Sequence, residues 1–126
     1  MPLPIESVTT AALSAALDAA SRRQAVTAAN IANASTEGYV PLRVSFEAQL
    51  ADARTAVEQR GWIDDAALEQ LRGVRDVAAQ PATTGPVTLD QEMTELARNA
   101  VQFQALLQGV SRHLSLMALA AADGRK

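Results

Sequence analysis

The chain contains few side chains that could perform acid–base, nucleophilic or metal chemistry. It has one histidine, His113, and no cysteine, so disulfides and thiolate metal sites are excluded. Helix bundles commonly hold metals with a Glu-x-x-His pair, but the residue three positions before His113 is Val110. We therefore predict that His113 is a partly exposed structural residue at the edge of a helix contact.

Two adjacent carboxylates, those of Asp64 and Asp65, are the other candidates for chemistry. Successive side chains of a helix point to different faces, so this pair suits the capping of a helix N-terminus better than acid–base catalysis. The sequence has neither a glycine-rich phosphate loop nor a serine in a nucleophile elbow. It predicts no enzymatic activity and no catalytic, cofactor-binding or metal-binding residues.

The composition indicates a protein that depends on partners. The 126 residues are enough for one domain, and 48% of them are hydrophobic while only 3% are aromatic. Much of the hydrophobic fraction is alanine, which buries little area, so an isolated copy should be marginally stable. The formal charge of −3 provides no basic face for nucleic acid, and no apolar run is long enough to span a bilayer. The first residues lack the basic segment and apolar stretch of a cleaved secretory signal.

The strongest periodic pattern lies near the C-terminus. Uncharged residues there alternate at steps of four and three, the spacing that keeps one side of a helix against a partner. A helix over this pattern would be roughly 50 Å long, so it needs a long partner. Thr88 and Gln91 are placed to form its capping box. The ladder consists of Leu89, Met93, Leu96, Ala100, Phe103, Leu107, Val110, Leu114, Met117 and Ala121, and a second apolar edge beside it consists of Ala97, Val101, Leu106, Leu116 and Leu119.

A weaker pattern of the same period predicts a first helix over residues 7–33, with Ser7 as its N-cap. Two long helices that share a seven-residue period most simply pair with each other. The predicted fold is therefore all-α, with the N- and C-terminal helices paired as an antiparallel coiled-coil hairpin and a loop-rich, partly helical insertion between them. The face of the first helix is formed by Leu13, Leu17, Ala20, Gln24, Thr27 and Ile31. The corresponding segments are residues 1–40 for the first helix and its turn, 41–86 for the insertion and 87–126 for the last helix.

The turn after the first helix has residues suited to reversing the chain. Asn33 can end the helix because its short amide competes for backbone hydrogen bonds. Gly38 can supply a positive φ without a Cβ clash. Pro41 then forces extended geometry on Val40, since the proline ring disfavours the helical region for the residue before it.

Two short helices are predicted in the insertion. The first covers about residues 45–61 and ends at its glycine, and the second covers about residues 64–73, with one of its leading aspartates as the cap. Residues 78–86 have no periodicity and are predicted to form a flexible connector. Trp62 is expected in the core or against a neighbouring subunit. The apolar face of the first short helix would consist of Phe46, Leu50, Ala53 and Val57.

Two segments resemble a known family. The turn, preceded by Arg22 or Arg23, resembles the N-terminal signature of the bacterial flagellar axial proteins, which comprise the rod, hook and hook-associated proteins. The C-terminal helix is similar to a block of the flagellar basal-body rod proteins, and among them to those of the proximal rod. The turn reads Asn30-Ile31-Ala32-Asn33-Ala34-Ser35-Thr36-x-Gly38-Tyr39. The helix reads Val87-x-Leu89-Asp90-x-Glu92-Met93-x-x-Leu96-Ala97-x-Asn99-x-x-x-Phe103-Gln104-Ala105-Leu106.

This resemblance implies a structural subunit that assembles through its terminal helices into the drive shaft needed for motility. It implies export through the flagellar type III apparatus without a cleaved signal peptide, and a place in the basal body within the periplasmic space. The implied partners are other rod proteins, the rod-base adaptor, components of the membrane ring and export gate, and further copies of this chain in a helical array. No cofactor, nucleic acid or membrane span is expected.

An alternative from another class is a soluble helical dimer that acts as a flagellar secretion chaperone or adaptor, which the net negative charge and the alanine-rich amphipathic helices would allow.

Two sets of residues are expected to carry assembly. The turn and its subunit contacts are assigned to Asn30, Asn33, Gly38 and Tyr39. The seam, in which the two helices face each other within the chain, is assigned to Leu13, Leu17 and Ile31 on the first helix and to Leu96, Phe103, Leu107, Val110 and Leu114 on the last.

Overall fold

The computed structural model describes residues 5–82, 85 and 88–125. Four α-helices and one small antiparallel sheet form this part of the chain, and a 3₁₀ turn at Gly73–Asp76 follows the third helix. In chain order the elements are α1 (Ile5–Ala32), β1 (Leu42–Arg43), α2 (Glu47–Arg60), α3 (Asp65–Arg72), β2 (Gln80–Pro81) and α4 (Leu89–Asp123).

Helices α1 and α4 pack against each other along most of their lengths. Near one end, the Thr10 hydroxyl lies 3.3 Å from Nε2 of His113. Further along, the Asn99 amide donates to the Ala20 carbonyl at 2.8 Å. Residue numbers rise along α1 as they fall along α4, so the pair is an antiparallel hairpin. The predicted all-α fold with paired terminal helices is confirmed.

The insertion packs on the side of α1 that α4 leaves open. Phe46 and Val74 are each 1% exposed and are among the most deeply buried side chains of the described residues. Each large apolar side chain buried in this way contributes about 1.5–3 kcal/mol. The Arg23 guanidinium lies 5.2 Å from the centre of the Phe46 ring, which places a cation against an aromatic face. The core cluster consists of Ala15, Val44, Phe46, Ala53, Leu71 and Val74.

The two short helices of the insertion end and begin where their caps predict. Gly61 ends α2 with a φ of +75°. Asp64 caps α3 by accepting a hydrogen bond from the Ala67 amide at 2.9 Å. That bond, assisted by the charge of Arg60, lowers the pKa of the Asp64 carboxyl from its ordinary value of 3.8.

The buried face of α2 differs from the predicted one. Leu50 and Val57 are exposed, whereas Ala53 and Ala56 are buried. Small residues let α2 approach the core closely. The predicted face was therefore right for Phe46 and Ala53 but wrong for Leu50 and Val57. Trp62, which was expected in the core or against a neighbour, is 37% exposed, and the Arg60 guanidinium lies 5.5 Å from its ring centre.

Two local predictions are corrected at the element ends, and part of a third lies outside the described residues. Helix α1 begins at Ile5, so Ser7 lies inside it and is not the N-cap. Thr88 is the N-cap residue of α4, but its side chain makes no capping hydrogen bond, so the capping box with Gln91 is wrong. Four residues of the predicted connector and its flank, 83, 84, 86 and 87, lie outside the described residues.

Part of the predicted connector is a strand. Gln80 and Pro81 pair with Arg43 and Leu42 in an antiparallel register. Extended residues after Pro41 expose backbone groups that need partners, and the 80–81 segment supplies them. A strand of two residues is too short to show an alternating pattern of apolar and polar residues, which is why the sequence predicted a loop. Within the described ranges, no helix combines the length and the apolarity of a membrane-spanning segment.

Candidate assembly surface

Asn30, at the end of α1, is the most fully bonded side chain of the turn. It is 0% exposed. Its Nδ2 donates to the Leu42 carbonyl at 3.0 Å and to Oε2 of Glu92 at 3.1 Å. Its Oδ1 accepts from the Tyr39 hydroxyl and from the Leu42 amide, each at 3.0 Å. One amide therefore joins α1, the turn, β1 and α4.

The rest of the turn is held by local bonds and by one unusual backbone angle. The Asn33 Nδ2 donates to the Ala29 carbonyl at 2.9 Å, and its Oδ1 accepts from the Thr36 hydroxyl at 3.2 Å. Gly38 has a φ of +76°, as its position in the motif predicted, and a Cβ there would meet nothing within 4 Å. Glycine is thus favoured at position 38 by the backbone conformation and not by crowding.

Glu92 is a buried carboxylate that the sequence did not single out. Its side chain is 1% exposed and accepts hydrogen bonds from Asn30 and from the guanidinium of Arg43, whose own side chain is 47% exposed. The sequence contains a signal for this position, because Glu92, Leu96 and Asn99 already follow the spacing of one helix face. A charged residue on such a face is easily excluded from a contact when only hydrophobicity is considered.

The face of α4 that packs on α1 is called the inner row here. Leu96, Phe103 and Val110 lie in it and are half-buried, as are the other apolar members. Glu92 and Asn99 are its two fully buried positions. The inner row consists of Glu92, Leu96, Asn99, Phe103, Leu106, Val110, His113 and Met117.

On α1, the expected seam residues lie where they can meet this row. Leu13, Leu17 and Ile31 are half-buried. The end of the Leu13 side chain lies 3.8 Å from the position that a Cβ on Gly109 would occupy. The absence of a side chain at position 109 lets the two helices approach closely beside Leu13.

Alternate members of the predicted ladder, together with Leu89 at its start, lie outside the contact with α1 and form what is called the outer row. Leu107 is 47% exposed and Leu114 is 55% exposed, so the prediction that they belong to the intrachain contact is wrong. The residue just before each of them, Leu106 or His113, is half-buried instead. Successive residues of a helix are about 100° apart, and half of the contact residues are shared with the prediction. The observed contact therefore corresponds to a rotation of α4 by about 50°. The outer row consists of Leu89, Met93, Ala100, Leu107, Leu114 and Ala121.

Further apolar side chains are exposed on the far side of α4. Val101 is 68% exposed and Leu119 is 64% exposed, and Leu116 is exposed as well. These residues belong to the second apolar edge that the sequence predicted beside the ladder, whereas Leu106 of that edge is half-buried. Contiguous exposed apolar surface is typical of a protein interaction site. The assembly roles of all these residues stay predictions.

A groove of about 640 Å³ runs between α1, β1 and α4. Arginines 23, 43 and 98 line it, but each already has a partner within the chain: the Phe46 ring, Glu92 and Glu95 respectively. The groove therefore does not offer uncommitted guanidinium groups to an anion. Among residues 5–82, 85 and 88–125, no group of three or more metal-ligating side chains is placed to hold a metal ion.

Comparison with known proteins adds one finding to this geometry. Residues 11–39 match a family model described as "Flagella basal body rod protein". The matched segment covers most of α1 and the turn as far as Tyr39, and it includes Asn30. No curated protein sequence matches the chain significantly. The match supports a relationship to the flagellar basal-body rod family, which is a family of structural proteins.

Proposed function

We propose that this chain is a structural, non-enzymatic subunit of the proximal rod of the flagellar basal body, similar to the rod protein FlgB. It would assemble through its N- and C-terminal helices into the drive shaft needed for motility. The observation that carries the proposal is the outer row. Helix α4 has already closed its inner row on α1, yet it still presents a ladder of apolar residues to the outside.

The outer row supports assembly because an amphipathic helix normally buries its apolar side. Here α4 carries apolar surface on two further sides, the outer row and the exposed edge at Val101 and Leu119. Two different patches on one subunit allow head-to-tail contacts, and such contacts generate open helical arrays when they do not close into rings. We propose that coiled-coil packing of this kind joins neighbouring subunits in the rod.

The turn would add the second kind of subunit contact. Asn33, Gly38 and Tyr39 lie on the segment that matches the rod family, at the end of the hairpin where the insertion leaves it. The proposed partners are other rod proteins, the rod-base adaptor and components of the membrane ring and export gate. The proposed route is export through the flagellar type III apparatus into the periplasmic part of the basal body. A thin, alanine-rich core suits that route, since export through a narrow channel requires unfolding.

The runner-up function is a soluble flagellar secretion chaperone or adaptor. The outer row would also suit a symmetric dimer in which two α4 helices cover each other. The two proposals differ in where the chain resides. A rod subunit is incorporated into basal bodies, whereas a chaperone dimer stays in the cytosol while rods form.

Leu107→Asp tests the proposed function. Because only about half of Leu107 is covered within the chain, the substitution should lower the free energy of unfolding of the isolated chain by about 1 kcal/mol or less. It should abolish swimming and remove the chain from purified basal bodies, since a charge would enter the subunit interface. The measurements are urea unfolding, swimming in a deletion strain that carries the variant, and immunoblots of detergent-extracted basal bodies.

Leu106→Asp is the matched control one residue earlier. Leu106 is half-buried against α1, so a charge there should destabilise the isolated chain by about 1–3 kcal/mol. Normal swimming of the Leu107→Asp strain would overturn the assembly proposal. Wild-type chain found only as a cytosolic dimer, with rods intact in its absence, would establish the chaperone instead.

A further inference from the structure

Helix α4 carries two apolar rows, and the more apolar one is turned outward. Two faces of α4 could therefore pack on α1. Both would contain Leu96, Phe103, Val110 and Met117, and they differ in the residues that lie between these four. The outer choice offers Met93, Ala100, Leu107 and Leu114, whereas the inner choice offers Glu92, Asn99, Leu106 and His113. Burial of apolar area alone would favour the outer choice. Some other interaction must therefore select the inner one.

The Glu92 end of the inner row provides one such interaction. Its buried carboxylate accepts hydrogen bonds from the Asn30 amide on α1 and from the Arg43 guanidinium on β1. Hydrogen bonds to a charged group are stronger than those between neutral groups, and their geometry is demanding. A rotation of α4 by about 50° would withdraw the carboxylate from both donors.

Asn99 provides the second interaction, two helical turns further along. Its Nδ2 donates to the Ala20 carbonyl and to Oε1 of Gln24, each at 2.8 Å. Its Oδ1 has no hydrogen-bond partner within the described residues, so its donor side alone holds it in place. Both partners lie on α1, and the bonds again require Asn99 to point inward.

We propose that Glu92 and Asn99 act as positioning residues that set the rotation of α4 on α1 and thereby keep the outer row exposed. Single buried polar residues are known to select one register of a helix pair over others of similar apolarity. The inference concerns the free chain and stands on its own contacts. Only its benefit, an outer row kept available for neighbouring subunits, rests on the proposed function.

Replacing both residues by alanine removes the selection without creating an unpaired buried charge. The Arg43 side chain is half exposed and can be hydrated when its carboxylate is lost. Asn30 keeps the Leu42 carbonyl as an acceptor, and Gln24 is only half-buried. Alanine is also preferable to leucine at these positions. A leucine would make the inner row more apolar and would favour its burial for a new reason.

The test is thiol labelling of single-cysteine reporters in the purified chain. The natural sequence has no cysteine, so Leu106→Cys or Leu107→Cys introduces the only thiol. In the otherwise unchanged chain, the thiol at position 107 should react faster than the one at position 106. With Glu92→Ala and Asn99→Ala together, we expect this order to reverse. The labelling rate at position 107 should fall about tenfold, which corresponds to about 1.4 kcal/mol of protection.

Two controls make the result specific. Thr94→Ala with Gln108→Ala makes two changes to alanine on exposed positions of the same helix and should leave the labelling order unchanged. Glu92→Gln retains an acceptor for Asn30 and should also keep the original order. Circular dichroism confirms that each variant is helical.

The outcomes separate the inference from the proposed function. An unchanged labelling order in the double alanine variant would overturn the inference, and so would fast labelling at both positions, because the polar residues would then only hold the hairpin together. A reversed order supports it. Loss of swimming in the same variant would further support its benefit for assembly, whereas a reversed order with normal swimming would count against the proposed function alone.

Discussion

At the scale of single residues, polar groups within an apolar contact determine the geometry. The Asn30 amide donates two hydrogen bonds and accepts two, and its partners belong to the turn, β1 and α4. Glu92 is buried with both an amide and a guanidinium as donors. A buried polar group without partners costs free energy, so these bonds favour one arrangement strongly over its neighbours. The end of the hairpin nearest the turn is therefore defined by chemistry as well as by packing.

Asn30→Ala should destabilise the chain more than any other single change in the turn. It leaves the Leu42 amide and the Tyr39 hydroxyl without the Asn30 acceptor, and it removes one donor from the buried Glu92 carboxylate. The Leu42 carbonyl loses one of its two side-chain donors and keeps the Arg43 guanidinium. We expect the free energy of unfolding in urea to fall by about 2–3 kcal/mol. Asn33→Ala is the control, because its bonds are exposed, and it should cost less than about 1 kcal/mol. Equal effects of the two substitutions would show that the buried network is not decisive.

At the scale of elements, the turn and α4 determine what the hairpin presents to its surroundings. The turn leads the chain from α1 into β1, where Arg43 can reach Glu92. Pairing of β1 with β2 ties the end of the insertion to the same place. Helix α4 then begins at Leu89 and runs back along α1 with its inner row closed and its outer row open.

Gly38→Val tests the conformation of the turn. A β-branched residue at a φ of +76° is strained even where space is available, so we expect a loss of about 1–2 kcal/mol in the free energy of unfolding. Gly38→Asn should cost clearly less, since asparagine tolerates this region better. Helicity by circular dichroism should stay nearly unchanged in both. If valine and asparagine behave alike in urea unfolding, the left-handed conformation is not what position 38 requires.

At the scale of the whole molecule, the core cluster supports the middle of the hairpin and the polar network supports its turn, so the opposite end has the fewest contacts. The core cluster and the residues packed on it contact α1 between Ala12 and Val26. The first turns of α1 and the last turns of α4 meet through contacts such as Thr10 with His113, beyond the described members of that cluster. A long, thin fold of this kind should open locally from the end that has fewer contacts.

Native-state hydrogen exchange measures this gradient directly. Backbone amides of α4 after Ser111 should exchange at least about tenfold faster than those between Glu92 and Phe103, because only the latter lie beside the polar network and the insertion core. The region between 104 and 111 should show intermediate rates. Uniform exchange along α4 would mean that the hairpin opens as one cooperative unit, in which case the uneven core has no dynamic consequence.

Local patterns were sufficient to predict much of this fold. The seven-residue periods of both long helices predicted their pairing, because periodicity reports directly which residues share a helix face. Gly38, Gly61 and Asp64 predicted a positive φ, a helix end and a helix cap, since these depend on the residue itself and its immediate neighbours. The resemblance in the turn likewise rested on a contiguous motif, and the family match covers that same segment.

Tertiary structure alone decided which side of α4 faces α1. By hydrophobicity, Leu107 and Leu114 belong inside, and their spacing predicted them there. The structure instead buries Glu92 and Asn99, whose partners lie on other segments of the chain: Asn30, Arg43, Ala20 and Gln24. A polar residue becomes a favourable member of a core only when distant groups satisfy it, and a pattern read along one helix contains no information about those groups.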